Sequence, residues 1–401
     1  MKKSYNKTNL VLACVSIFIS LYCSEFVFLL IDNKLLTSTP TKIEVIEELR
    51  KNGIDAWPAV FPSIFIENKG IITHKGHVFP LSGISRKTTV LCRESGRVKV
   101  FISDEHGFNN PGGLYQKGKV KIAMIGDSFT IGACVDSGDD IASYLRNKGI
   151  SVFNAGYSGI GPLIEFAIFK EYIEPLQPDI ILWIYYEGND LEDLRYERDV
   201  PILMQYLEDN YTQDLISRQD EIDTALTRYV SKLIDDESKR ETAILGLTTR
   251  REKLDIKDLF INFMKLQHLR NRLSLLMTRD KQRLKVVIKD DIFNDEFPLF
   301  SKIITIVNHR VSGWGGRLYF VYLPTTARYP ENADDNLFNR NEVITLINEL
   351  HIRLIDFHEV LSKQQKPFVT VSDYPGGHYN AYGYRLVSEL ILRKLPTTLL
   401  H

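Results

Sequence analysis

The sequence has no excess of either charge, with 50 Lys and Arg against 51 Asp and Glu. It carries no basic stripe interleaved with aromatics, so nothing in it asks for nucleic acid. Cysteine is scarce. There are four, and no two have C-x-x-C spacing, which argues against a zinc site. Internal repeats and low-complexity tracts are absent, which sets aside repeat architectures. What is present is 44% apolar residues, with 19 Tyr and 21 Phe. That is the composition of a packed globule, not of a disordered chain. A length of 401 residues suits one large α/β domain with appendages, or two small domains.

Cys14 and Cys23 fall in an apolar N-terminal run, and Cys92 and Cys134 lie in the remainder. The second pair is read as two buried free thiols. A disulfide is the alternative in an oxidising compartment.

Met1 to Thr8 carries Lys2, Lys3 and Lys7 and no acid. Leu10 to Ile31, LVLACVSIFISLYCSEFVFLLI, is then almost wholly apolar. A helix of roughly 20 such residues crosses a bilayer. The basic flank predicts a cytoplasmic N-terminus, with the rest on the extracytoplasmic (periplasmic) side. Glu25 costs about 2–3 kcal/mol if it sits deep in lipid. It is relieved if it lies toward the outer end or faces a partner helix. A cleaved signal peptide needs a small-residue cleavage site, and no convincing A-x-A follows. Val11-Leu12-Ala13-Cys14 loosely resembles a lipoprotein box, but most of the apolar run lies on its wrong side. Residues 1–32 are therefore assigned as an uncleaved signal anchor, a single transmembrane helix.

Residues 33–117 form a mixed, membrane-proximal segment expected to pack on the domain that follows. Ile43 to Arg50 reads as a short amphipathic helix, and Val78 to Val100 holds short β-like runs. The stretch from Phe101 to Gly113, FISDEHGFNNPGG, is rich in turn residues and should lie beside the entrance of any site after it.

From residue 118 to 401 strands and helices alternate, the sign of a parallel sheet. Expected strands are Val120–Ile125, Ile150–Asn154, Asp179–Tyr186, Arg317–Leu323 and Pro367–Ser372. Expected helices are Asp139–Lys148, Leu163–Tyr172, Glu342–Leu361 and one capped by Asn380. Between the third and fourth strands, residues 191–312 are polar and mostly helical. That is too long for a plain crossover. It reads as a helical insertion, either a lid or partner surface or a solvated elaboration.

The chain is organised around Lys119 to Ala133, KVKIAMIGDSFTIGA. An apolar run closed by Gly126 turns into a helix at Ser128. Chemistry in open α/β sheets collects at the carboxyl ends of the strands. There Ser128 is either a nucleophile or, with Thr130, merely a helix cap. The ends of the other expected strands supply Gly159, Asn189, Asp373 and His378. Together they match the inventory of acyl transfer. A serine hydroxyl needs a base, and an imidazole serves near neutral pH. A carboxylate orients the imidazole, and preorganised donors hold the oxyanion. Each piece alone has an ordinary reading as a turn glycine, a helix start or a capping-region histidine. Their order, each after an expected strand, is the sharper signal.

These blocks resemble the SGNH/GDSL hydrolase superfamily. Gly126-Asp127-Ser128 matches its first block and Asn154 to Gly159 its second. Gly188-Asn189-Asp190 matches the third, and Asp373 with His378, followed by Asn380 and Gly383, the last. The resemblance runs from about Asp104 to the C-terminus, apart from the insertion. It implies a flavodoxin-like three-layer α/β/α fold and a metal-free serine mechanism without cofactor. Ser128, His378 and Asp373 are then the catalytic residues, and Ser128, Gly159 and Asn189 form the oxyanion hole. One departure stands out. The superfamily places its Asp three residues before the His, whereas Asp373 precedes His378 by five. A Ser–His dyad aided by a backbone carbonyl is the alternative to Asp373.

The expected function is a membrane-anchored serine esterase acting on an O-acetyl or O-acyl ester of a cell-envelope glycan. An O-acyltransferase, a lipase or a thioesterase would share the fold, and a noncatalytic envelope-assembly scaffold is the rival from another class.

Overall fold

The computed structural model describes residues 7–32, 42–94, 97–235, 263–267, 269–270, 279–329, 337–364, 371–372 and 377–396. Its contacts divide the chain into two units, Met1–Pro40 with Thr249–Val287, and Thr41–Thr248 with Ile288–His401.

In the first unit the apolar run forms α1 (Lys7–Asp32). Its stretch Val11–Phe28 is long and apolar enough to cross a membrane. A helix suits lipid because its backbone groups satisfy one another. Glu25 is fully buried and accepts a hydrogen bond from Leu269 N–H at 2.6 Å. Tyr22 O–H donates to the Met264 carbonyl at 3.2 Å. The charge expected to burden the helix is thus met by a backbone donor from the 263–270 stretch.

The second unit begins with α2 (Lys42–Lys51), which buries Ile46 against Ala56, Val90 and Leu233. β1 (Ala56–Pro58), β4 (Thr88–Glu94) and β5 (Arg97–Ile102) form a small sheet in the order β1-β4-β5. β2 (Ile71–Thr73) and β3 (Gly76–Val78) form a separate hairpin.

The main sheet follows, from β6 (Ile122–Gly126), β7 (Val152–Asn154), β8 (Ile180–Tyr186), β9 (Arg317–Leu323) and β10 (Arg353–Asp356). Its order is β10-β9-β8-β6-β7, and every neighbouring pair is parallel. Ranked along the chain this is the flavodoxin-like order 2-1-3-4-5. β6 and β8 are buried at every position, as expected of parallel strands covered on both faces. Alternate residues feed two cores. Ala123, Ile125, Ile181, Trp183 and Phe320 face one, while Ile122, Met124, Leu182, Ile184 and Val321 face the other.

Helices fill both faces. Between β6 and β8 run α3 (Ser128–Ile131), α4 (Ile141–Arg146) and α5 (Pro162–Ile168). After β8 come α6 (Asp190–Glu197), α7 (Pro201–Met204), α8 (Gln219–Asp235) and α9 (Arg279–Gly313). The chain then adds α10 (Arg340–Glu349), α11 (His358–Leu361) and α12 (Ala381–Lys394). α5, α10 and the end of α9 cover the first face, the last through Phe300, Ile303, Ile304, Val307 and Val311. α4 and α12 cover the second. The close of the 191–312 stretch is therefore core-facing.

Two expectations are corrected. Glu342–Leu361 is not one helix. It is α10, then β10 at the sheet edge, then α11. His351 breaks the helix with φ +54. The apolar positions Val343, Ile347, Leu350, Leu354, Phe357 and Leu361 keep helical spacing straight through the break, so periodicity alone hid the strand. Second, Cys92 and Cys134 are not free thiols. They form a disulfide with Cα atoms 5.7 Å apart and a sequence separation of 42. Closing such a loop removes roughly 4 kcal/mol of denatured-state entropy in the chain-entropy account. The contact arises because the β4–β5 hairpin docks on the turn after α3, where Lys99 Nζ donates to the Gly132 carbonyl at 2.9 Å. Of the expected strand Pro367–Ser372, residues 367–370 lie outside the described residues, and Ser372 bridges to Tyr379.

Candidate active site

Ser128 owes its position to the tight end of β6. Gly126 has φ +150, and a Cβ there would lie 2.2 Å from Thr130 Oγ1 and 2.5 Å from the Ile184 carbonyl. Only glycine fits. Asp127 then caps α3, accepting from Phe129 N–H at 2.9 Å. Neither Ser128 nor Thr130 is the cap, so the Ser128 hydroxyl is not spent on the helix. It lies 3.3 Å from Asp127 Oδ2 and 2.8 Å from His378 Nε2. α3 lasts one turn and ends at Gly132, φ +74.

His378 comes from the other end of the domain, just before α12. Asn380 caps that helix as expected, accepting from Gly383 N–H at 2.9 Å. Ser372 Oγ donates to the His378 carbonyl at 3.1 Å, and the Phe129 ring lies 5.1 Å from the imidazole. Cys134 Sγ is 3.8 Å from Nδ1. Asp373 lies outside the described residues.

β7, β6 and β8 are neighbours and parallel, so the loops leaving their carboxyl ends share one edge. Gly159 and Asn189 therefore flank the Ser128 loop. Gly159 has φ +69. A Cβ there would lie 2.9 Å from Ser63 Oγ, so the segment before the main sheet reaches this rim. Asn189 precedes α6, and its side-chain amide donates to Asp193 Oδ2 at 2.6 Å. Sequence reasoning gave that amide to an oxyanion; here it is engaged locally. Just before it, Glu187 accepts from Arg328 Nε at 2.8 Å, from Thr325 N–H at 2.8 Å, and from the Tyr322 hydroxyl.

The turn-rich segment does more than line an entrance. The Asp104 carboxylate accepts from His106 N–H and Phe108 N–H, both at 2.9 Å, and from the Asn110 amide at 2.8 Å. Asn110 clasps the Asn154 backbone, accepting from its N–H at 2.8 Å and donating to its carbonyl at 3.0 Å. Asn154 in turn donates to the Thr130 carbonyl at 2.8 Å. Asn109 donates to the Ile131 carbonyl at 3.2 Å. This ladder holds the C-terminal end of the α3 turn. In the sequence this segment shows itself only by its turn-rich composition. A cavity of about 920 Å³ opens beside the ladder, lined by Arg86, Asn109, Asn110 and Arg146; Ser128 and His378 do not line it.

Carboxyl groups crowd the same region. Burial pushes Asp127 up to about 6, Asp193 to about 7 and Glu197 to about 8. It lifts Glu165 and Asp190 well above the usual carboxylate range, and neighbouring acids add to the rise. Glu197 caps α5, accepting from Leu163 N–H at 3.0 Å and Ile164 N–H at 3.2 Å. A hydroxyl held against an imidazole at a strand end is chemically equipped for acyl transfer.

No family model and no curated protein matches the chain. Among solved structures it is similar to a lipolytic protein of the G-D-S-L family from Desulfitobacterium hafniense DCB-2. The match has 14% identity, covers 69% of this chain and 99% of the other, and has a TM-score of 0.34. It is also similar to Axe2, an acetylxylan esterase from Geobacillus stearothermophilus, with 15% identity, coverage of 70% and 95%, and a TM-score of 0.35. A member of the lipolytic protein G-D-S-L family from Veillonella parvula DSM 2008 matches with 14% identity, coverage of 68% and 96%, and a TM-score of 0.32. The sheet order and the Ser128–His378 contact stand independently of these likenesses. The chain thus has a mixed α/β fold with a parallel central sheet in flavodoxin-like order, and the solved structures similar to it include GDSL-family proteins and acetylxylan esterases.

Proposed function

We propose that the protein is a membrane-anchored serine esterase of SGNH/GDSL type, acting on an O-acetyl or O-acyl ester of a cell-envelope glycan. The observation that carries the proposal is the 2.8 Å contact between Ser128 Oγ and His378 Nε2 at the carboxyl end of β6. Ser128 Oγ attacks the ester carbonyl and its proton passes to Nε2. The oxyanion is met by the backbone N–H groups of Ser128 and Gly159, and by Asn189 once its amide leaves Asp193. The leaving alcohol takes the proton from His378, and an acyl group remains on Ser128. His378 then takes a proton from water as the water oxygen attacks the acyl carbonyl; the bond to Ser128 Oγ breaks, Oγ takes the proton back from His378, and the acid leaves. Asp373 is assigned to hold Nδ1. The reading of an acetylated glycan as substrate is supported by the resemblance of the motif blocks and by the membrane-length helix α1. Transfer to a sugar hydroxyl shares every residue up to the second half-reaction.

The test uses the full chain in detergent with p-nitrophenyl acetate and longer p-nitrophenyl esters. The wild type should turn over acetate fastest, and Ser128→Ala should fall to the buffer rate. A fluorophosphonate probe should label the wild type at Ser128. A folded wild type that neither hydrolyses nor reacts with the probe overturns the proposal.

A further inference from the structure

The disulfide and the histidine meet in one place. Cys134 follows the C-cap of α3 by two residues, with φ +65. That is a left-handed conformation that side-chain-bearing residues seldom adopt. It is bonded to Cys92 of β4. Its sulfur lies 3.8 Å from His378 Nδ1, while Nε2 of the same ring faces Ser128 at 2.8 Å. The turn that carries Cys134 is tied down a second time, through Lys99 to the Gly132 carbonyl at 2.9 Å and to Asp140 at 3.6 Å. The sulfur is therefore a fixed wall against the edge of the ring that a base must keep oriented.

We propose that Cys134 is a positioning residue for His378, and that the Cys92–Cys134 bond keeps it from becoming a competing partner. As a disulfide, the sulfur carries no proton and no charge. A dithiol reductant breaks the S–S bond. Two electrons and two protons pass to the sulfurs, giving two thiols, and the dithiol closes to its own disulfide. The Cys134 thiol then stands beside an imidazole. Such pairs favour thiolate with imidazolium, the thiol proton passing to the ring. An imidazolium cannot accept the Ser128 proton, so acyl transfer stops at its first step. The proposal rests on the esterase reading above. In the oxidised form Phe129 and Ser128 also face this ring, from α3, Asp127 lies behind them, and Asp373 is the carboxylate assigned to Nδ1 under the esterase reading. None of these groups changes its covalent state on reduction.

The experiment compares four proteins with p-nitrophenyl acetate: wild type, Cys92→Ala, Cys134→Ala and the double variant. Dithiothreitol should lower wild-type kcat/KM by at least tenfold, and reoxidation should restore it. Cys92→Ala leaves Cys134 as a thiol and should be as slow without reductant. The double variant should be faster than Cys92→Ala, because the competing thiol is gone. Cys134→Ala, which also lacks the competing thiol, should match the double variant, whereas a disulfide that only braces the fold predicts all three variants equally impaired. In Cys92→Ala the acid limb of kcat/KM should move to higher pH, since the thiolate stabilises the imidazolium, and in the double variant it should return. A second readout needs no turnover: the NMR titration of His378, assigned by its loss in His378→Gln, should move upward on reduction. Equal rates for Cys92→Ala and the double variant, with an unmoved titration, overturn the proposal. A moved titration in a protein that hydrolyses no ester sinks the esterase reading alone.

Discussion

Arg328 offers a quantitative test of what holds the rim beside Ser128. Its guanidinium donates through Nε to the two Glu187 oxygens at 2.8 and 3.1 Å, and through Nη2 at 2.5 Å. Both residues are buried, with 3% and 6% of their surface exposed. Burial lifts the Glu187 carboxyl above its usual range even with Arg328 opposing it by hydrogen bond and by charge. Arg328→Leu removes both opposing effects. A unit pair about 3 Å apart attracts by about 5 kcal/mol at an effective dielectric of 20, and much of that offsets desolvation. Orphaning one partner of such a pair typically costs about 3–5 kcal/mol. The loss has a ceiling, because Glu187 can take a proton instead. Protonating a carboxyl of ordinary pKa 4.5 costs roughly 3.4 kcal/mol at pH 7 and roughly 0.7 at pH 5. The variant should therefore be about 3 kcal/mol less stable than wild type at pH 7 and about 1 at pH 5. The sign follows from linkage. The orphaned carboxyl has a folded pKa above its unfolded one, so its stability is present in acid and is lost as pH rises. Guanidinium denaturation followed by tryptophan fluorescence reads this directly, since Trp183 is buried in the core. Pairing Arg328→Leu with Glu187→Gln should recover part of the loss. A deficit below about 1 kcal/mol at pH 7, or one that ignores pH, would refute the reasoning.

Two further outcomes follow from the site. Glu165 is fully buried, and burial with its acidic neighbours raises it well above its ordinary value of 4.5. Its contribution to folding is fully present below its unfolded value and is lost as pH climbs from there toward its raised folded value, so Glu165→Gln should match wild type near pH 4 and melt progressively higher toward pH 9; parallel melting curves would sink this idea. At Gly156 a Cβ would lie 2.4 Å from Thr130 Cβ and 2.7 Å from Ile131 N. Gly156→Ala must push the α3 backbone, and displacement of about 1 Å costs on the order of 10²-fold in rate; kcat on p-nitrophenyl acetate should fall about that much, and an unchanged kcat would show that α3 does not set the reactive geometry.

What was legible in the chain was what is local. The run Ile180–Tyr186 is apolar at every position and reads as a strand because nothing else fits seven such residues closed by Glu-Gly-Asn-Asp. Ser128 was legible because Gly126 and Asp127 shape its turn from within three residues. Asn380 was legible as a cap for the same reason. Edges and pairings were not. β10 is four residues long, Arg353–Asp356, and its residues continue the helical spacing of α10. Only hydrogen bonding to β9 makes it a strand. Cys92 and Cys134 carry no local signal, since their meeting depends on how the β4–β5 hairpin docks.

The reactive turn shows why that division matters for function. α3 has four residues, too few to be stable alone, since helices need far longer runs to stand in water. Its form is imposed by partners distant in sequence. Asn154 holds the Thr130 carbonyl, Asn109 holds that of Ile131, and Lys99 holds that of Gly132. These are the last carbonyls of the turn, which a short helix cannot satisfy itself. All three donors are side chains from outside the turn, two of them from residues 99–110, and Asn154 and Lys99 are buried. A single lost donor leaves a carbonyl unpaired, at about 1–3 kcal/mol where it is buried. It also frees the end of a turn whose beginning carries Ser128. The motif glycine, aspartate and serine thus specify where a nucleophile can sit. The 99–110 segment, outside the motif, supplies two of the three donors that hold that turn, so the placement of Ser128 depends on it as well as on the motif.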